Sequence, residues 1–181
     1  MNLKKIFSAL KKSSNAYAVP NEFRLTDILG EDDLLANRKL TAASYSLTWQ
    51  NPPQSALVFM AFPYGLNGGG LRTIITQMES MSARWGLKNY ICFYPRYKQS
   101  PKNLKLQETL KENMRREFPL LNFEIIPYSD NFDDYPEVDI ALCNWWLTAF
   151  PLAKFRKCRQ KYYLLQDFEP CFSQAGSCLL Y

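Results

Sequence analysis

A chain of 181 residues suits one domain and suits two poorly, because a single core usually organises about 100–200 residues. Hydrophobic residues make up 47% and charged residues 22%, which supports a buried core and excludes a disordered chain. The net charge of +5 fits anionic small molecules or an anionic membrane surface. It falls short of the basic stripe of a nucleic-acid binder, so no nucleic-acid partner is expected.

Five cysteines (Cys92, Cys143, Cys158, Cys171, Cys178) form no C-x-x-C pair, and an odd number reads as reduced thiols in the cytoplasm. The chain has no histidine. That removes Ser-His-Asp and Cys-His nucleophile systems, zincin motifs and histidine-containing zinc sites, so no metal site is expected. A general base must then be a carboxylate or come from elsewhere.

Taken from the amino terminus, Leu3, Ile6, Phe7 and Leu10 fall at helical spacing among Lys4, Lys5, Lys11 and Lys12. This is a short basic amphipathic helix, suited either to peripheral contact with anionic lipid or to packing on the domain. No apolar run is long enough to cross a bilayer. Residues 1–50 thus form a leading segment, with Lys39 to Trp49 read as extended and Leu40, Tyr45 and Leu47 as its buried positions. Asn51-Pro52-Pro53 then punctuates the chain.

Residues 51–181 form the domain proper. The continuous apolar run from Ala56 to Phe62 predicts a strand buried on both faces of a parallel sheet. A turn at Gly68-Gly69-Gly70 leads to a helix carrying Leu71, Ile74, Ile75, Met78 and Met81 on one face. Asn89–Tyr94 is the second strand, and Leu106, Leu110 and Met114 mark a helix that ends before Pro119. Phe123–Tyr128 and Val138–Cys143 are the third and fourth strands. A helix from Trp146 to Arg156 follows, with Pro151 forcing a restart or a kink, and Tyr162–Gln166 is the fifth strand. The alternation predicts an α/β fold: a Rossmann-like, open, mainly parallel sheet with helices on both faces.

In such sheets ligands bind beyond the carboxyl ends of the strands. Those ends carry Gly69, Gly70, Arg72 and Thr73 after the first strand, and Tyr94, Arg96 and Tyr97 after the second. Tyr128 and Asp130 follow the third, Asn144, Trp145 and Trp146 the fourth, and Gln166, Asp167 and Glu169 the fifth. Aromatic rings among hydrogen-bonding groups suit a carbohydrate. The glycines before a helix can cradle a phosphate or simply make a tight turn, and Arg72 favours the anion. Asp167 and Glu169 read as base and positioner for a hydroxyl, or as solvated loop residues. The two tryptophans read as packing or as a sugar platform. Where nicotinamide and adenosyl enzymes place an acid to hold ribose, this chain has Tyr94-Pro95-Arg96-Tyr97, so no such cofactor is expected.

The strand leading to Gly69-Gly70 and Thr73-Ile74 resembles bacterial glycosyltransferases of family 4. So do Asn144-Trp145 with Thr148-Ala149, and the stretch Tyr162-Tyr163-Leu164-Leu165-Gln166-Asp167-Phe168-Glu169-Pro170 with Phe172, Gly176-Ser177 and Tyr181. The match is nearest to the rhamnosyltransferase-like members that build surface polysaccharides, and covers about residues 55–181. The resemblance implies one half of a GT-B fold, the half that holds a saccharide or lipid-linked saccharide acceptor. A second domain or partner subunit would hold the nucleotide-sugar donor. It implies metal-free chemistry, with Gly69 and Gly70 near the donor phosphates and Gln166, Asp167 and Glu169 lining the cleft. Related sequences often place a histidine after the glycine pair, where this chain has Leu71-Arg72. With a donor half lacking, the chain would not be a complete catalyst. The alternative is a module that binds glycans without turnover, or a truncated and inactive gene product.

Overall fold

Five parallel strands in the order β3-β2-β1-β4-β5 form the centre of the computed structural model, which describes residues 29–45, 49–61, 66, 68–94 and 104–165. The strands are β1 (Ser55–Ala61), β2 (Lys88–Tyr94), β3 (Phe123–Ile126), β4 (Val138–Cys143) and β5 (Cys158–Tyr163). Among the described residues four α-helices accompany them: α1 (Glu31–Tyr45), α2 (Gly69–Trp85), α3 (Leu104–Glu117) and α4 (Ala149–Lys154). The open, parallel α/β sheet read from the sequence is therefore the observed fold.

The apolar run of β1 sets the architecture. Ala56, Leu57, Val58, Phe59 and Met60 are all fully buried, because helices cover both faces of the central strand. Successive side chains point to opposite faces, so β1 divides its apolar residues between two clusters. Ala56, Val58 and Met60 join Ile74, Ile75 and Met78 of α2 and Leu110 and Met114 of α3. Leu57 and Phe59 join Cys92, Tyr135, Leu152 and Phe155 on the other face, with Leu40 of α1 against them.

Helix α2 follows from its apolar stripe, and Gly86 ends it. With φ at 72°, Gly86 adopts the left-handed conformation and its N–H bonds the carbonyl of Ser82 at 2.8 Å, closing the last turn. Next to that cap, Asn89 is fully buried. Its amide nitrogen donates to Ser82 Oγ (2.9 Å), Leu87 O (3.3 Å) and Asn122 O (3.1 Å), joining α2, β2 and the turn before β3.

Three elements differ from the sequence reading. Of the stretch Lys39–Trp49 read as extended, residues 39–45 are helical, since residues 31–45 form α1, and 46–48 lie outside the described residues. The first turn of α1 carries Glu31, Asp32 and Asp33, which complement the positive helix end, and Gly30 N–H donates to Asp33 Oδ2 at 3.2 Å. The Leu40-to-Leu47 spacing concealed that start signal. Of the proposed buried positions Leu40 is half-buried, and Leu47 lies outside the described residues. The expected helix from Trp146 to Arg156 is a 3₁₀ turn (Trp146–Thr148) followed by the six-residue α4, so the helical run restarts at Ala149, just before Pro151, and ends at Lys154. Pro151 sits in the first turn of α4, where a missing N–H costs no intrahelical bond. The fifth strand is Cys158–Tyr163, four residues earlier than expected. It alternates buried Cys158 and Gln160 with exposed Arg159 and half-buried Lys161, a polar edge-strand pattern that the apolar run Leu164-Leu165 outweighed.

Although α1 belongs to the leading segment, it packs on β5 and α4. Asn37 Nδ2 donates to Ala153 O at 2.7 Å, and Lys161 Nζ donates to Asn37 Oδ1 (2.8 Å) and Ala153 O (3.0 Å). Arg156 pairs with Asp33 at 3.0 Å. This face of β4 and β5 is thus covered by α1 and α4.

Candidate functional site

The strand order creates a switch point between β1 and β4. From β1 the chain runs through α2 towards β2, and from β4 it runs through α4 towards β5, so the two connections diverge and leave a crevice above the carboxyl ends of the central strands. The register pairs Phe59 with Cys143 and Ala61 with Tyr94, which puts Asn144, Ala61 and Tyr94 along one rim.

On the β1 side of the crevice stands the amino terminus of α2. Gly68 is the N-cap, and its carbonyl accepts the Arg72 N–H at 2.9 Å. Gly69 and Gly70 are the first two helical residues, so the triple glycine is a helix start as much as a turn. The backbone of Gly68 has φ −68° and ψ 124°, which any residue adopts. A β-carbon built on Gly69 would meet nothing within 4 Å, and one on Gly68 would meet only the Leu71 β-carbon at 3.9 Å. The fold itself therefore demands no glycine at either position among the described residues.

Thr73 hydrogen-bonds back to the Gly69 carbonyl at 2.9 Å. Arg72 turns to the α2–α3 seam, where its guanidinium pairs with Glu117 at 2.9 Å and lies 5.3 Å from the Phe118 ring centre. It is engaged there rather than at the crevice.

On the β4 side, Asn144 leaves the strand half-buried. Its Oδ1 is shielded from solvent and has no hydrogen-bond partner among the described residues, an arrangement with a cost of about 1–3 kcal/mol for a buried acceptor. Trp145 continues the extended backbone before the 3₁₀ turn. Thr148, fully buried, braces that turn: its Oγ1 accepts the Trp145 N–H at 3.2 Å and donates to the Trp145 carbonyl at 2.6 Å. The Trp145 and Trp146 rings meet edge to face at 6.1 Å, and Phe150 extends the cluster 6.4 Å from Trp146. Both tryptophans are half-buried, so each contributes packing and an accessible face.

A second aromatic group stands beyond β2 and β3. Tyr94 and Tyr128 contact edge to face at 5.1 Å, and Tyr128 Oη donates to Asp130 Oδ1 at 3.0 Å. Burial, and then the bond to Asp130, push the Tyr128 hydroxyl far above the ordinary phenol range, so it stays a proton donor at any physiological pH. Beneath it Tyr135 Oη accepts from Ser129 N at 2.7 Å, donates to Ser129 O at 3.0 Å and lies 3.5 Å from Cys92 Sγ. Sequence reasoning passed over Tyr135, whose neighbours Phe59 and Phe155 approach only across the sheet.

The structure thus gathers Gly69, Gly70, Thr73, Asn144 and Trp145 on one edge of the sheet and draws Arg72 away. Arg96, Gln166, Asp167 and Glu169 lie outside the described residues. Among the described residues no group of three or more metal-ligating side chains converges, and no helix is long and apolar enough to cross a membrane. Fold and rim together define an open parallel α/β domain with Rossmann strand order and a glycine-led helix at its switch point. Comparison with protein-family models, characterised proteins and solved structures returns no match.

Proposed function

We propose that this chain is the acceptor-side half of a GT-B glycosyltransferase resembling the rhamnosyltransferase-like members of family 4, working with a donor-binding domain or subunit. The supporting observation is the juxtaposition, at the switch point, of glycines that the described fold does not require with an Asn144 carbonyl oxygen that no described residue pairs. Glycines there leave room for a ligand to approach the helix backbone, whose positive end favours a diphosphate. Asn144 offers an acceptor to a sugar hydroxyl, and the Trp145–Trp146 and Tyr94–Tyr128 groups offer ring faces to its apolar side.

In this reading an acceptor hydroxyl attacks the anomeric carbon of a nucleotide-sugar. The bond from that carbon to the diphosphate breaks, and Asp167 takes the hydroxyl proton while Glu169 positions the acceptor. The reaction runs without a metal, at the cytoplasmic side of the membrane, with residues 1–14 available for peripheral lipid contact.

The test is transfer measured by mass spectrometry in protein that carries both halves, supplied with nucleotide-sugars and saccharide or lipid-linked saccharide acceptors. Asp167→Asn and Glu169→Gln should each depress transfer while the fold is kept. Unchanged rates in both would overturn the assignment. The accessible faces of these half-buried rings favour a second reading, a glycan-binding module without turnover. That reading predicts saccharide binding by the 181-residue chain and no transfer in any combination.

A further inference from the structure

Asn144 leaves β4 with both of its flanking peptide groups held by hydrogen bonds. On one side the Cys143 carbonyl accepts the Leu164 N–H at 2.9 Å, which fixes the peptide plane between Cys143 and Asn144. On the other, three bonds join Trp145 to Thr148. The Trp145 N–H donates to Thr148 Oγ1 at 3.2 Å, and the Trp145 carbonyl accepts the Thr148 hydroxyl at 2.6 Å and the Thr148 N–H at 2.8 Å. The first of these fixes the plane between Asn144 and Trp145. A residue's two soft dihedrals are set by the planes on either side of it, so the Asn144 backbone is held in one conformation. Side-chain rotamers follow the backbone, so its carboxamide has a set direction on the rim.

Thr148 completes this clamp from a fully buried position, so water does not compete for its hydroxyl. Its Oγ1 spends one accepting and one donating bond on a single residue's backbone. A methyl group in place of that oxygen would occupy similar space and make neither bond, so packing alone does not call for a hydroxyl here. What the hydroxyl adds is the orientation of the Trp145 peptide groups.

We propose that Thr148 is a positioning residue: through the Trp145 peptide group it holds the Asn144 carboxamide so that Oδ1 receives a hydrogen bond from a saccharide hydroxyl. Among the described residues that oxygen is buried and has no partner. This role rests on the transferase reading and deepens it, since it states what the rim selects: an acceptor with a hydroxyl group that donates at this point. A contact held in advance costs less ordering when the ligand arrives. An acceptor lacking that hydroxyl leaves the oxygen unpaired in the complex and is rejected.

Four variants in protein carrying both halves provide the test: Thr148→Val, Thr148→Ser, Asn144→Ala, and Thr148→Val combined with Asn144→Ala. Transfer is measured against acceptor concentration, with methyl hexosides, methyl rhamnoside and lipid-linked saccharides as the acceptors. Thr148→Val should raise the acceptor KM about tenfold or more and leave kcat within about threefold. Thr148→Ser keeps both bonds and should stay within about twofold of wild type in KM. Asn144→Ala should raise KM to a similar degree as Thr148→Val, and combining the two should change KM no further, because both act on one contact. Near-UV circular dichroism needs no acceptor: the Trp145–Trp146 signal should change in Thr148→Val and persist in Thr148→Ser. A lower stability in urea at unchanged KM would make Thr148 purely structural and overturn the proposal. So would an unmoved tryptophan signal, KM effects that multiply in the combined variant, or a loss in Thr148→Ser as large as in Thr148→Val. The transferase reading fails separately: it is overturned, and this role with it, if the wild-type protein transfers to none of the acceptors.

Discussion

The amide of Leu164 donates to the carbonyl of Cys143 at 2.9 Å, one residue beyond the last strand of the sheet. That bond carries the β4–β5 ladder one residue further, onto the rim. Leu164→Pro deletes the donor and leaves the carbonyl unpaired. It should lower the unfolding free energy by about 1–3 kcal/mol in urea titration.

Gly69 separates a structural role from a ligand-binding one. Among the described residues nothing lies within 4 Å of a β-carbon at this position, and alanine favours helix. Gly69→Ala should therefore leave stability unchanged or raise it by up to about 1 kcal/mol, while weakening transfer by tenfold or more in protein with both halves. Loss of stability and activity together would mark the glycine as a folding residue.

Asn89 carries a polar joint inside the core. Asn89→Ala removes the donor to Ser82 Oγ, while Leu87 O keeps the Ser82 hydroxyl and Asn122 O keeps the residue-89 amide, and it should cost about 1–3 kcal/mol with an unchanged dependence on urea. Activity per folded molecule should not change, since this joint lies at the opposite end of β2 from the rim.

Lys161 sets a pH signature. Burial lowers its ammonium from 10.5 to about 8, so between those values the unfolded chain binds more protons than the folded one. The penalty of burying the charge is fully present below pH 8 and is relieved as pH rises towards 10.5, a contribution that increases stability with pH. Cys92 and Cys158 act oppositely. Burial raises their thiols to about 12 and about 11, so the stability they contribute is lost as pH rises above 9. The wild-type chain and Lys161→Met should therefore diverge above pH 8, with the variant losing stability more steeply. Parallel curves from pH 7 to 10.5 would show that Lys161 ionises freely.

Stability should be nearly indifferent to Arg72. Its bond to Glu117 is short, but the side chains are about half and one-third exposed, and such pairs contribute about 1 kcal/mol or less. Arg72→Ala should stay within that margin, as measured by thermal unfolding.

The legible parts of this fold were those whose signal is local. The run Ala56 to Met60 announces a doubly covered strand because burial on both faces removes the need to alternate. The stripe of Ile74, Ile75 and Met78 announces a helix for the converse reason. Elements at the sheet's edge were not legible in the same way. β5 is written Cys158-Arg159-Gln160-Lys161, and its residues become strand through pairing with Val138 to Cys143, which no neighbouring residue encodes. The switch point was legible as a list of strand-end residues, yet Arg72 left that list because Glu117, far along the chain, offers its carboxylate at the seam.

Pairing of β1 with β4 also constrains how the chain can fold. Asp139 Oδ2 accepts from the amides of Gln54 (2.8 Å) and Ser55 (3.2 Å), and the latter contact bridges 84 positions of sequence. The innermost strand therefore stays half-paired on a ribosome until β4 has emerged. Until then the Leu57 and Phe59 side chains lack Ala141 and Cys143, so a nascent chain halted earlier presents an open apolar seam to chaperones.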